Sequence, residues 1–284
     1  AVFLAFVHDG GPERDRLRRL VRVGAVVGTV GILAALPLQA TLATGQGLGA
    51  ITESGVFGEV LQDGVGLATL LGLVGLVVLV VGDRHRVPVA IGAGLAAGSF
   101  ALSGHTRSSD NELLAVGAAI VHTLAAAAWF GGLVLLAFTL AGRRDEPDHA
   151  SSAGMVGRFS LLATISVIAV GLAGLVLSWS EVRALSALTS TTYGWTLLAK
   201  VGVVLVVGLI GAHNRFRVVP AIQRSPSAPR AWSLLRRSVR LEALALVVAI
   251  ALTAVLVNVT PARSAAGIGG ISREPVPLGD IGSV

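Results

Sequence analysis

The chain contains no cysteine, which removes disulfides, thiolate metal sites and thiol redox relays from consideration. Methionine occurs once, at Met155, so a methionine-lined path for a soft metal ion is absent. Charged residues are only 13% of the sequence, and none of the compact catalytic signatures is present: no nucleophile elbow, phosphate loop, metalloprotease helix or paired catalytic carboxylates. The short runs SSAG (151–154) and GIGG (267–270) are too common to count as phosphate or nucleophile motifs. An enzyme is therefore not the expected class.

What is present is apolar. Hydrophobic residues make up 54% of the 284 residues and mean hydropathy is +0.80, the composition of a polytopic membrane protein. Thirty-six glycines suit helices that pack closely in lipid. A net charge of +6 does not point to nucleic acid, because the arginines cluster in short loops between apolar spans, the pattern that membrane orientation produces.

The stretch from Leu113 to Leu140 is apolar, long enough to cross a bilayer, and carries one imidazole, His122. A polar ring inside such a span requires a partner or a ligand. Trp129 lies seven residues on and so shares its helix face. Before this span, residues 1–7 read as the tail of a helix that begins earlier. Arg14, Arg16, Arg18, Arg19 and Arg22 then precede a span at about 23–43 containing Pro37 and Gln39. Residues 44–63 carry Glu53, Glu59 and Asp63 but no Lys or Arg, which places them outside. Further spans are expected at about 65–81, from 88 to a mouth holding His105, and at about 159–178, 196–212 and 239–257.

Most of the 22 Lys and Arg residues alternate onto one side of this threading. The expectation is an all-α, polytopic transmembrane bundle of about eight helices, the first truncated, with both termini extracytoplasmic. Residues 1–262 form the bundle, and 263–284, rich in Gly and Pro, form an extracytoplasmic linker to a further domain.

Candidate chemistry centres on His105 and His122. A short turn joins their helices, so both rings can face one vestibule, and imidazole ligates copper, zinc, iron and nickel. The competing reading is that His105 solvates a helix end while His122 hydrogen-bonds a backbone carbonyl. Gln39 and Asp63 could add oxygen ligands or serve as caps. Lys200, the one lysine, is costly within its span and is expected to pair or to snorkel toward the headgroups. Tyr193, Trp179 and Trp195 suit an interfacial aromatic belt. His8, His85, His149 and His213 fall in inner loops or at inner helix ends; with Met155 they could line a cytoplasmic metal exit, but scattered loop histidines are usually solvated. Glu242 could pair with Arg237 or Arg215, a structural arrangement that would orient its helix.

Six motifs in order, SGHTR (103–107), VHTLAAAAWFGGL (121–133), GRFS (157–160), TTYGWTLLAK (191–200), HNRFRVVP (213–220) and LRRSVRLEALAL (235–246), resemble the CopD family of copper-resistance membrane proteins. The resemblance implies an eight-helix core that carries copper inward across the bacterial cytoplasmic membrane. It implies His105 and His122 as copper ligands, with Trp129, Tyr193 and Lys200 at recurrent positions. It also implies an extracytoplasmic CopC-like copper-binding domain or protein as partner, alongside the lipid bilayer. Two other readings remain open at this point: a b-type haem protein with an intramembrane axial imidazole, and an accessory protein that delivers copper without transporting it.

Overall fold

The computed structural model describes residues 1–8, 10–11, 13–44, 65–82, 84–102, 112–143, 149–182 and 185–259. Within them the chain is helical, without strands: α1 Val2–Phe6, α2 Arg14–Thr44, α3 Val65–Val81, α4 Arg86–Leu102, α5 Glu112–Gly142, α6 His149–Val182, the short α7 Ala187–Ser190, α8 Thr192–His213, a π-helical segment Asn214–Val218, α9 Val219–Arg224 and α10 Pro229–Leu256. Five segments are long and apolar enough to cross a membrane, while Gly66–Val81 and Arg86–Phe100 are shorter apolar helices. The fold is an all-α polytopic membrane bundle.

Helix boundaries follow local chemistry. α10 opens on Pro229, whose missing N–H is no loss at a helix start. α8 is capped by Thr191, whose hydroxyl accepts the Gly194 N–H at 3.0 Å. α2 runs through Pro37 without interruption. Hydroxyls inside the spans return to their own helix: Thr139 donates to the Leu135 carbonyl at 2.8 Å and Ser99 to that of Ala96 at 3.0 Å.

Neighbouring helices pack as hairpins, α3 on α4 and α5 on α6, while α10 lies against both α8 and α5. The α3–α4 crossing depends on glycine. A Cβ at Gly92 would stand 2.6 Å from the Leu79 nitrogen and 2.7 Å from the Gly75 carbonyl, and one at Gly75 would collide with the Ala96 nitrogen. Close backbone approach of this kind is how small residues drive helix association in lipid.

The core joins Trp129, Leu133 and Leu136 of α5 to Met155, Val156 and Phe159 of α6, with Val207, Ile222, Trp232 and Leu235 closing it from the later helices. The opposite faces are apolar and exposed: Val23, Val27 and Val30 on α2, Leu172 and Leu175 on α6, Leu205 and Leu209 on α8, and Leu244 and Val247 on α10. So much exposed aliphatic surface on helices of spanning length is what a bilayer covers.

Candidate functional site

His122 lies ten residues into α5, about 15 Å along the helix from its first turn. Its Nδ1 is 3.1 Å from the Val170 carbonyl of α6. A carbonyl only accepts, so the ring proton is on Nδ1, and in that tautomer Nε2 carries a lone pair. Among the described residues nothing bonds Nε2. The ring lies over Gly174, where a Cβ would be 3.4 Å from Cε1 and 3.5 Å from Nδ1. A glycine four residues beyond Val170 thus gives the imidazole room on the α6 surface.

Lys200 reaches the same depth from another helix. It lies eight residues into α8, about 12 Å along it, is half-buried, and its charge acts on His122. Among the described residues no hydrogen bond or ion pair reaches its ammonium. The lysine therefore stands within electrostatic range of the imidazole.

The other sequence candidates are distributed differently. Trp129 is 3% exposed and belongs to the packed core. Tyr193 is half-buried beside Val182 and Ala187 at the start of α8. Trp179 and Trp195 are exposed at the corresponding helix ends, and the Trp195 indole N–H donates to the Thr189 carbonyl at 3.0 Å. His105 and Asp63 lie outside the described residues; Gln39 is on α2, with its side chain outside them.

Two polar clusters differ from expectation. Glu242, 4% exposed, does not pair with Arg237 or Arg215; its Oε1 accepts from the Asn214 amide at 2.6 Å, and Ser238 donates to Asn214 Oδ1 at 2.9 Å. The reason is local geometry. The wider π turn over Asn214–Val218 turns Asn214 inward, while Arg215 is half-buried and Arg237 is exposed. The apolar helix centre selects a short neutral donor over a long solvated cation.

His8 is likewise not solvated, its side chain being fully buried. Its Nδ1 accepts the Gly10 N–H at 3.0 Å and its Nε2–H donates to Glu13 Oε1 at 2.8 Å. The turn relies on Gly10, at φ +92°. The same Glu13 oxygen receives Arg143 Nε at 2.8 Å and Nη2 at 2.7 Å, and Arg143 Nη1 donates to Ser152 at 3.2 Å. Burial pushes the Glu13 carboxyl up, but the Arg143 hydrogen bond, its own backbone, His8 and the Arg143 charge outweigh it and hold the pKa below the ordinary value. This clasp ties the α1–α2 turn to the ends of α5 and α6. Its sequence signals, HDGGPE at 8–13 and the arginine pair Arg143–Arg144 after α5, are too sparse to identify it.

These features define a multi-pass helical membrane protein with the imidazole of His122 at the α5–α6 interface. Residues 153–256 match the family described as Copper resistance protein D, and residues 1–113 match the Copper resistance protein D-like N-terminal domain. The chain belongs to the CopD family. It is 28% identical over 273 residues to Copper resistance protein D of Pseudomonas syringae pv. tomato, covering 89% of this chain and 86% of that one. It is also 26% identical over 226 residues to Copper transport protein CutJ of Bacillus subtilis (strain 168), covering 74% of this chain but only 42% of the relative. The chain thus spans under half the length of the Bacillus relative. No solved structure matches the chain significantly.

Proposed function

We propose that the protein carries copper inward across the bacterial cytoplasmic membrane, through a site built from His105 and His122 near the outer face. The observation that carries this reading is the Nδ1 contact of His122 to Val170, which fixes the ring and leaves Nε2 as a ligand. In sequence His105 stands seven residues before Glu112, the first residue of the helix that holds His122.

The role of Lys200 follows from its charge. A transit site must hold its ion firmly enough to admit it and weakly enough to release it. An ammonium acting on the same imidazole opposes a cation there and keeps the site weak. Copper reaches His105 and His122 from an extracytoplasmic CopC-like domain or protein, binds transiently, and moves toward the arginine-rich end, which faces the cytoplasm. The transporting core lies within residues 1–262. Trp129 holds α5 in the core, and Tyr193, Gln39 and Asp63 belong to the surroundings of the vestibule.

Copper flux into sealed vesicles tests this. Uptake by the wild-type chain that falls at least several-fold in His122→Ala and in His105→Ala supports the reading. Copper binding without flux identifies an accessory protein instead, and a Soret band on the purified protein moves the assignment to haem.

A further inference from the structure

Glu242 lies in the middle of the apolar span Pro229–Leu256, and transport through His122 leaves it unused. Its surroundings are unusual for a structural carboxylate. One oxygen accepts from a neutral amide, and the other faces the backbone of α8, where a Cβ on Gly211 would be 3.8 Å away. Charged groups exist on every element around it: Lys200 on α8, His213 and the π-segment arginines Arg215 and Arg217, Arg224 on α9, and Arg230, Arg236, Arg237 and Arg240 on its own helix; α5 carries Glu112 at its start, His122 and, beyond its end, Arg143. None of these hydrogen-bonds or pairs with Glu242.

A structural carboxylate in a bundle normally has a cation, because an unpaired buried charge is expensive. This one has an amide and, behind it, a hydroxyl. An amide can donate to a carboxylate or to a carboxylic acid without itself titrating, so the chain Glu242–Asn214–Ser238 tolerates both states. π-Helical turns are rare and concentrate at functional positions, and here the turn delivers Asn214 to the carboxyl.

We propose that Glu242 is a proton-binding site linked to copper movement, releasing its proton when copper occupies the bundle and regaining one from water when copper leaves. The linkage rests on the copper reading given above. Charge balances without any redox partner, since the proton lost offsets part of the metal charge gained. α8 is the physical link: Lys200 near its beginning acts on His122, and Asn214, immediately after its end, holds Glu242. The two contacts are fourteen residues apart, about 21 Å along the helix.

Two measurements on the full chain separate the site from the linkage. First, infrared spectra of metal-free protein are recorded across roughly pH 5 to 9 for wild type, Glu242→Gln and Ser238→Ala. A carboxylic-acid carbonyl band that titrates in wild type, vanishes in Glu242→Gln and shifts in Ser238→Ala supports the site. Absence of a titrating band in wild type overturns it, as does a band unmoved by either variant. Second, copper is added to sealed vesicles containing a pH-sensitive dye. Proton movement on copper addition that falls at least several-fold in Glu242→Gln supports the linkage, and equal proton movement in both overturns it. Should wild type move no copper, the transport reading and the linkage both fail, while the infrared result still decides the proton site.

Discussion

Replacing Glu13 by glutamine removes the charge at the centre of the clasp while keeping its volume and an acceptor oxygen. Two guanidinium N–H groups of Arg143 converge on one Glu13 oxygen at 2.7 and 2.8 Å, and the two side chains are 6% and 10% exposed. Removing one member of a buried pair leaves the other charge uncompensated, at a cost of about 3–5 kcal/mol. The retained amide oxygen puts Glu13→Gln at the lower end, about 3 kcal/mol. With a shift of about 2–4 °C per kcal/mol, the midpoint falls by roughly 6–12 °C. Thermal unfolding in detergent, followed by the fluorescence of buried Trp129 and Trp232, reads this directly. A cycle of Glu13→Leu, Arg143→Met and the double variant isolates the pair, and the double variant should be less destabilised than the two singles added, by about 2 kcal/mol. A midpoint within about 1 °C of wild type, or strict additivity in the cycle, refutes the account of the clasp.

Four further outcomes are expected. The folded Glu13 carboxyl titrates below its ordinary value, so its contribution is complete above the unfolded carboxylate pKa, about 4.3, and is lost as pH falls through the lower folded value; acid unfolding of Glu13→Gln should lack this component. Gly92→Val should lower the unfolding midpoint by several degrees, through about 1–3 kcal/mol of overpacking against Leu79 and Gly75, whereas Gly94→Ala, with nothing within 4 Å, should leave it near wild type. Gly174→Leu should displace the His122 ring from α6 and weaken copper binding in metal titrations, with little loss at Gly171→Ala, where the space is open. Lys200→Met should tighten copper binding and slow release into vesicles, because it removes the charge opposing the cation.

The arrangement of spans was legible because hydropathy and arginine alternation are collective signals that one residue cannot erase. α3 and α8 fall close to where their apolar runs place them, and α6 differs mainly by extending back to His149, since polar residues at a span end continue a helix beyond the hydrocarbon. His122 was legible as an isolated ring in an apolar run. Its partner was not, because Val170 contributes a backbone carbonyl that any residue supplies. Lys200 was visible as a charge within an apolar span, but its proximity to His122 depends on how α8 packs, which spacing along the chain does not encode. The pairing of Glu242 was misjudged for a similar reason: sequence proximity favoured arginine, while a π turn with no clear sequence signature brought Asn214 across. His8 resembled an ordinary loop histidine until folding brought Arg143 from 130 residues away onto the same carboxylate.

Copper bound to the purified chain, compared between wild type and His122→Ala by metal analysis and X-ray absorption, tests the central claim most directly. The account predicts copper with nitrogen ligation in wild type, lost in His122→Ala and retained in His85→Ala, where the substituted residue is exposed beside α4. Unchanged copper content and ligation in His122→Ala would contradict it.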